Sequence, residues 1–330
     1  MSNATAIAHP NIALVKYWGN RDDRLRLPAM GSISVTLAAL STRTRVSFDG
    51  GDEDRLILNG QAASEEARQR TARLLDLVRG MAGARGGALV ESVNDFPTAA
   101  GLASSASGFA ALALAATRAA GLDLGPRELS ILARQGSGSA ARSVFGGYVE
   151  MHRGERSDGL DSFAEPLASE SALPLEVLVA VTEEGPKERS SQDGMALGRA
   201  SSPFWDAWVS GAEADVGRMR ASILAGDLAQ VGALAEESCL KMHAVMLSTR
   251  PALIYLREAS VAVILRVRAL RKEGLPAWIT MDAGPQVKVL TSPDRSAEVV
   301  AAVEAVPGVL RLIRSGLGPG VALVARDRTA

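Results

Sequence analysis

The chain has 330 residues, 47% of them hydrophobic and 22% charged, with a formal net charge of -1. This length favours two domains, and the apolar content excludes intrinsic disorder, since disordered chains are poor in apolar residues and carry excess charge of one sign. The near balance of charge removes the global argument for nucleic-acid binding, and the only cysteine, Cys239, excludes an intramolecular disulfide and a cysteine-cluster metal site.

The first half alternates short β-branched runs with long helical patterns, which is typical of a mixed α and β chain. Strands are predicted over residues 32–37, 42–48, 55–58 and 88–93, and a tight hairpin turn at Asn59-Gly60. Helices are predicted over 64–80, 101–120 and 126–134, with a further strand over 146–151.

The second half has a different texture, because long helical patterns fill most of residues 190–272. A strand over 175–182 precedes them, and strands near 277–281 and 287–290, a helix from 295 and two strands within 308–325 follow. An acidic, serine-rich loop ends near Leu173-Pro174. We therefore expect one domain over residues 1–174 and a second over 175–330.

Residues 97–108 are small and polar and lead directly into the apolar helix that starts at Phe109. Backbone N–H groups of such a segment can approach an anion closely, and the helix start adds its positive dipole end, so the pattern favours a phosphate-binding loop. No Gly-Lys-Ser/Thr follows, so a metal here would need the hydroxyl of Ser104 or Ser105 together with the phosphates. A small-residue helix packed tightly on a sheet is the alternative.

A second small-residue loop, 135–142, fits the glycine pattern of dinucleotide-binding enzymes with alanine in the last place. That pattern must follow a strand, whereas residues 128–134 are predicted as helix, which argues against a nucleotide-dependent oxidoreductase. Ser137, Ser139 and Arg142 could instead grip a carboxylate or a phosphate. An ordinary surface role for Arg142 stays open at this point.

Lys16 follows an apolar, strand-like run, and Asp282 lies at a strand end before a Gly-Pro turn. A catalytic role for Asp282 would require a nearby cation that keeps it ionised. The sequence has no Gly-x-Ser-x-Gly elbow, and its three histidines lack metal-ligand spacing: they are His9, His152 and His243.

The longest apolar stretch, 109–116, stops at Thr117 and Arg118, far short of the roughly 20 residues of a membrane span. The first residues lack a basic region followed by an apolar one. We therefore expect a soluble cytoplasmic protein with no nucleic-acid or membrane partner.

These segments together resemble the diphosphomevalonate decarboxylases, members of the GHMP kinase superfamily. The resemblance covers most of the chain through blocks in the family's order: 11–19 (NIALVKYWG), 32–37 (SISVTL), 94–108 (NDFPTAAGLASSASG), 136–140 (GSGSA) with Arg142, 145–147, 190–191, 194–195 and 282–285 (DAGP). It implies an α+β, two-domain GHMP kinase fold with the active site in the interdomain cleft, and a homodimer. It also implies that ATP, with Mg²⁺, phosphorylates the 3-hydroxyl of mevalonate 5-diphosphate, and that loss of this phosphate with the carboxylate gives isopentenyl diphosphate.

The resemblance also assigns roles to residues. Asp282 would orient or deprotonate the 3-hydroxyl, Lys16 would keep Asp282 ionised, and Arg142 would hold the substrate carboxylate. Ser105 would contact the ATP phosphates or the magnesium ion. Further substrate contacts would come from Tyr17, Asn20, Ser137 and Ser139, and further ATP contacts from Pro97, Ala100, Gly101, Leu102, Ala103, Ser104 and Gly108.

Two departures from the family pattern bear on the substrate. Asn20 stands where the family usually has a lysine, and Ala29-Met30-Gly31 stands within a segment where it usually reads Pro-Thr-Asn-Ser-Ser. One fewer cation suits a monophosphate, so a phosphomevalonate decarboxylase making isopentenyl phosphate is an alternative, unless Arg21 compensates. A small-molecule kinase without decarboxylation and a non-catalytic relative also stay open, although Lys16, Arg142 and Asp282 together favour the decarboxylase.

Overall fold

The computed structural model describes residues 2–48, 50–96, 104–185 and 189–325, and it confirms the mixed α and β chain. Its strands are β1 (Ser2–Ala8), β2 (Asn11–Val15), β3 (Asn20–Asp22), β4 (Leu27–Pro28), β5 (Ser32–Thr36), β6 (Thr42–Phe48), β7 (Arg55–Leu58), β8 (Gln61–Ala62), β9 (Ala88–Asn94), β10 (Tyr148–Met151), β11 (Ala164–Ala168), β12 (Glu176–Val181), β13 (Ala277–Met281), β14 (Val287–Thr291), β15 (Arg311–Ser315) and β16 (Ala322–Leu323). Its α-helices are α1 (Glu65–Ala82), α2 (Ser104–Ala119), α3 (Pro126–Gly136), α4 (Ser191–Ser201), α5 (Trp205–Leu224), α6 (Leu228–Leu247), α7 (Glu258–Lys272) and α8 (Ser296–Glu304). Two 3₁₀ helices span Gly138–Val144 and Pro293–Arg295.

The first sheet has the strand order β16-β1-β6-β9-β7-β8, and α1, α2 and α3 pack against it. Its pairs are antiparallel except for β7 and β9. The alanine-rich α2 lies at the centre of this core, where small side chains let it approach the sheet and the other two helices closely. Because β16 pairs with β1, the last described strand of the chain returns to the first sheet.

Two further sheets, β11-β10-β5-β2 and β13-β14-β12-β15, share a second core with α5 and α6. Ile12 and Val35 of the first of these sheets belong to the same cluster as Val177 of the other and Val216 of α5. The two halves of the chain are therefore joined by a continuous apolar core, and β2 lies at the junction.

Several predicted elements agree closely with the structure. The strand predicted over 42–48 is β6, and Asn59 and Gly60 both have positive φ, as a two-residue hairpin turn requires. Ser64 caps α1 by accepting a hydrogen bond from the backbone N–H of Ala67, and the helix runs two residues beyond its predicted end. The long helical region of the second half divides into α4 to α7.

Other elements were not predicted. Residues 138–144, expected as a loop, form a 3₁₀ helix, because this compact conformation suits a short run of small residues. The strand β1 was missed because its residues, SNATAIA, have weak β-propensity, and packing between β6 and β16 decides its conformation.

The junction of the two halves sets the position of Lys16. Its backbone N–H donates to the Ser238 hydroxyl of α6 over 2.9 Å, and Ala13 accepts a hydrogen bond from Thr280 of β13. The end of β2 therefore lies beside the end of β13. None of the described helices combines the length and apolarity needed to cross a membrane.

The packing of α6 on β13 can be tested at Gly232. A Cβ atom there would lie 2.1 Å from the buried indole ring of Trp278, so Gly232→Ala should lower the unfolding free energy by about 1–3 kcal/mol. The matched control is Gly217→Ala in α5, where nothing lies within 4 Å and helix propensity favours alanine by about 1 kcal/mol. Guanidinium unfolding of both variants should give opposite shifts, and equal shifts would contradict this packing.

Candidate active site

A cavity of about 640 Å³ lies where the ends of β2 and β13 meet the starts of several helices. The first residues of α1, α2 and α4, and the 3₁₀ helix Gly138–Val144, all contribute lining side chains. Helix starts present free backbone N–H groups and the positive end of the helix dipole. The cavity is therefore built to receive negatively charged groups.

Asp282 is held between two lysines at this cavity. Lys16 Nζ donates to Asp282 Oδ1 over 2.7 Å, and Lys288 Nζ lies 3.2 Å from Oδ2. The lysine side chains are 1% and 0% exposed, while that of Asp282 keeps 29% of its surface exposed. Each carboxylate oxygen thus has its own buried cation, and part of the group still faces the cavity.

These contacts fix the charge of Asp282. Burial acts to raise its pKa, but the charges and hydrogen bonds of Lys16 and Lys288 together outweigh burial and hold the pKa far below its usual range. Burial lowers the pKa of Lys288, and the negative charge of Asp282 opposes that effect. The carboxyl group is therefore ionised throughout the physiological range.

Local structure explains how residues distant in the chain meet here. Lys16 directly follows β2, and Asp282 directly follows β13. Lys288 lies on β14 opposite Thr280, two residues before Asp282, so the β13–β14 ladder aims its side chain at the same carboxylate.

His243 of α6 lies behind this group of charges. It is 4% exposed, its ring hydrogen-bonds to the backbone of Asp282, and its buried Nε2 has no hydrogen-bond partner among the described residues. Burial lowers the pKa of His243 to about 4, and the charges of Lys16 and Lys288 act in the same direction. The imidazole is therefore neutral at physiological pH.

Arg142 is a buried cavity residue rather than a surface cation. It is 3% exposed, its Nε donates to Asn11 Oδ1 over 3.1 Å, and its Nη1 donates to the Ser32 hydroxyl over 2.6 Å. Burial lowers its pKa to about 10, which leaves it protonated. Two neutral partners fix its orientation without neutralising its charge.

Tyr17, Ser137 and Ser139 also line the cavity, and the two serine hydroxyls lie 3.3 Å apart. Asn20 lies outside the described lining. Its Oδ1 accepts a hydrogen bond from the Tyr17 hydroxyl and its Nδ2 donates to Asp23 over 3.1 Å. The structure therefore places Asn20 behind Tyr17, and the substrate contact expected for it stays a prediction.

Arg21 does not replace the charge missing at residue 20. Its guanidinium donates to the backbone carbonyls of Arg153 and Arg156 over 3.4 and 3.1 Å, and it does not belong to the described lining of the cavity. These contacts give no support to the expectation that Arg21 compensates for Asn20, because carbonyl acceptors outside the described lining hold its side chain.

The predicted ATP-binding residues fall into two groups. Pro97, Ala100, Gly101, Leu102 and Ala103 lie outside the described residues, while Ser104 and Ser105 line the cavity at the start of α2. Gly108 lines a second cavity of about 180 Å³, which shares Ser104, Ser105 and Arg70 with the first. Its remaining walls are mostly apolar and come from β6, β7, β9, α1 and α2.

The hydroxyl oxygens of Ser104 and Ser105 fit a magnesium ion that is bound together with a polyphosphate. In the part of the chain that the structure describes, no group of three or more His, Cys, Asp or Glu residues is arranged to hold a metal. Mg²⁺ usually takes only one or two protein ligands and completes its shell with substrate phosphates and water.

Sequence reasoning missed four basic residues of the site. Lys288 could have been suspected as a lysine inside the apolar run VKVL, whereas the others reach the cavity only through tertiary structure. These others are Arg26, Arg70 and Arg189. The described lining thus contains five cations, Lys16, Arg26, Arg70, Arg142 and Arg189, against two carboxylates, Glu66 and Asp282.

Comparisons with known proteins agree with this geometry. Residues 8–164 match the diphosphomevalonate decarboxylase-like N-terminal domain, and residues 177–311 match the mevalonate 5-diphosphate decarboxylase C-terminal domain. The diphosphomevalonate decarboxylase of Homo sapiens is 38% identical over 325 residues, which cover 92% of this chain and 80% of the human protein. That of Candida albicans is 34% identical over 97% of both chains.

Solved structures give the same result. MDDEF in complex with MVAPP, AMPPCP and magnesium superposes with a TM-score of 0.91 at 39% identity, over 98% of this chain and 99% of that one. Mevalonate diphosphate decarboxylase from Staphylococcus aureus gives a TM-score of 0.91 at 37% identity over 98% of each chain.

The neutral state of His243 predicts a pH-dependent stability. Unfolded His243 takes up a proton near pH 6.5, whereas the folded residue does so near pH 4. The contribution of neutral His243 to the free energy of unfolding is fully present above pH 6.5. It is lost progressively as the pH falls to 4, and the loss is about 3 kcal/mol. Urea unfolding across this range should show a shallower pH dependence in His243→Gln. Identical slopes in the wild type and the variant would contradict this assignment.

Proposed function

Because this chain belongs to the diphosphomevalonate decarboxylase family, we propose that its cavity holds the 3-hydroxyl of mevalonate 5-diphosphate against Asp282 while ATP binds at the start of α2. The family's reaction is ATP-dependent decarboxylation, so ADP, phosphate and carbon dioxide leave and isopentenyl diphosphate remains. The observation that carries the proposal is the clamp of Lys16 and Lys288 on Asp282, which leaves an ionised carboxylate facing a cavity rich in cations.

We assign Asp282 mainly to orienting the 3-hydroxyl. A carboxyl group of such low pKa is a weak base, and phosphoryl transfer has a loose transition state that depends on positioning and charge more than on early deprotonation. Asp282 accepts the hydrogen bond of the hydroxyl, which aims the oxygen lone pair at the γ-phosphorus, and takes the proton only as the O–P bond forms. Lys16 stabilises the negative charge of the transferred group.

Arg142 holds the substrate carboxylate for the second step. When the carboxylate leaves, the electron pair of its bond to C2 forms the C2–C3 double bond, and the C3–O bond breaks to release phosphate. Both bonds must be aligned for this elimination, so a fixed cation is more useful than a mobile one. The hydrogen bonds of Arg142 to Asn11 and Ser32 supply that rigidity.

Ser104, Ser105 and the N-terminal end of α2 would hold the phosphates of ATP, with Ser105 as a ligand of Mg²⁺. When bound, the ion neutralises the charge that phosphoryl transfer concentrates between the β- and γ-phosphates. The smaller cavity begins at the same two serines and has mostly apolar walls, which suits a flat nucleoside base. We therefore place the adenosine of ATP in this smaller cavity.

The matched domains end at residue 164 and resume at 177, which supports a boundary near 174. The family resemblance supports a homodimer, and the single buried thiol of Cys239 suits the reducing cytoplasm. Sedimentation velocity of the purified chain would distinguish a dimer from a monomer.

The direct test supplies the purified protein and magnesium-ATP with mevalonate 5-diphosphate and, in parallel, with mevalonate 5-phosphate. We expect ADP and carbon dioxide in equal amounts from the diphosphate. Release of ADP and carbon dioxide from the monophosphate alone would identify the protein as a phosphomevalonate decarboxylase. Release of ADP without carbon dioxide would show a kinase activity without decarboxylation.

Arg142→Gln should lower kcat/KM for the diphosphate at least about 100-fold, because a buried charge-assisted contact to the carboxylate is lost together with its alignment. Initial rates of carbon dioxide release measure the effect, and circular dichroism checks the fold. Arg156→Gln, at an exposed arginine paired with Asp158, serves as the matched control and should keep wild-type rates. Equal rates for both variants would remove Arg142 from the mechanism.

A further inference from the structure

We infer that Arg26 binds the phosphate end of the substrate and supplies there the positive charge that the family pattern usually places at residue 20. The inference rests on the proposed function and adds a residue that sets substrate preference. Arg26 belongs to none of the sequence blocks that carry the family resemblance, and its position in the cavity follows only from the structure.

Arg26 is a buried cation with neutral partners. It is 8% exposed, its Nε donates to the carbonyl of Gln135 over 3.1 Å, and its Nη2 donates to Gln192 Oε1 over 3.1 Å. Among the described residues, no carboxylate lies within ion-pair distance of its guanidinium. A buried charge that only neutral acceptors satisfy is costly, and an anion arriving in the cavity would relieve that cost.

The backbone holds Arg26 in an uncommon conformation. Its φ is +51°, in the left-handed region that few residues other than glycine adopt. Such strain costs of order 1 kcal/mol or more and persists where the surrounding structure imposes it, most often at ligand sites. Arg26 ends the turn between β3 and β4, and this conformation directs its side chain into the cavity.

The same hairpin explains how Arg26 relates to Asn20. Asn20 pairs with Pro28 across β3 and β4, so Asn20 lies on one arm of a short hairpin whose turn ends at Arg26. Asn20 accepts a hydrogen bond from the Tyr17 hydroxyl, and the charge of Arg26 acts on the same phenol. The positive charge absent from β3 is thus present at the end of the turn, beside the same tyrosine.

Contacts of the 135–142 loop indicate which phosphate Arg26 meets. Arg26 donates to the carbonyl of Gln135 at the start of this loop, whereas Arg142 lies at its end. A Cβ atom at Gly138 would lie 2.4 Å from the Tyr17 hydroxyl oxygen, so Tyr17 packs against the loop between the two arginines. A substrate whose C3 lies at Asp282 would extend its 5-phosphate groups toward Arg26. Arg70, on the ATP side, is also near Arg26, so the phosphates of ATP are the competing source.

The test compares steady-state kinetics of the full chain with magnesium-ATP and either mevalonate 5-diphosphate or mevalonate 5-phosphate. Arg26→Gln, which can keep polar contacts, should raise KM for the diphosphate about tenfold or more, raise KM for the monophosphate less, and leave KM for ATP within about twofold. Adding Asn20→Lys to this variant should recover part of the lost affinity. Arg26→Lys should show a smaller rise, because lysine keeps the charge without the planar pair of donors.

Arg21→Gln is the matched control, since it removes a cation of the same hairpin that points away from the cavity, and it should keep wild-type KM values. A rise only in KM for ATP would assign Arg26 to the nucleotide, and unchanged KM values with a lower melting temperature would make it a structural brace. Either result would overturn the inference. If Arg26→Gln does not fold, Arg26→Lys decides: a rise in KM confined to the diphosphate supports the inference, and wild-type values for both substrates overturn it.

If the wild type releases no carbon dioxide from either substrate, the proposed function fails. The inference is then tested separately by calorimetric binding of mevalonate 5-diphosphate to the wild type and Arg26→Gln without ATP. Weaker binding by the variant supports it, and equal binding overturns it.

Discussion

The carboxylate of Asp282 between Lys16 and Lys288 is the interaction on which the site depends. Removing an ammonium group from water costs several kcal/mol, and burial therefore lowers the pKa of Lys288, an effect that the charge of Asp282 opposes. The single carboxylate serves both lysines, and the three groups together keep one excess positive charge. That excess attracts a phosphate group, and the same contacts leave one face of the carboxylate for a hydroxyl.

This interaction also connects the site to the fold. Lys16 ends a strand of the first half, whereas Asp282 and Lys288 belong to adjacent strands of the second half. The shared core that contains Ile12, Val35, Val177 and Val216 holds these strands together. The distances between the charged groups of the site are therefore set by an apolar core that extends well beyond the site. Local concentration of cations, not the near-zero net charge of the chain, makes the cavity suitable for polyphosphates.

Much of this arrangement could be predicted from the sequence, and the exceptions have physical reasons. The strand over 277–281 and the helix that begins near Ser64 follow from local patterns, and the family resemblance singled out Lys16 and Asp282. The position of Asn20 behind Tyr17 and the approach of Arg26 depend on a four-residue turn with an unusual φ, which no periodicity encodes. Lys288 was missed because the role of a lysine in an apolar strand can be inferred only when its buried partner, Asp282, is known.

The most direct test of this account is the pH dependence of kcat for mevalonate 5-diphosphate in the wild type and in Lys288→Met, with the exposed Lys272→Met as control. In the wild type, the two lysines keep Asp282 ionised, so Asp282 should produce no acidic decline above pH 5. Loss of Lys288 removes one of the two opposing charges, so the pKa of Asp282 should rise, an acidic limb should move to higher pH, and kcat at neutral pH should fall about tenfold or more. Profiles of Lys288→Met that coincide with those of the wild type and of Lys272→Met would contradict the account.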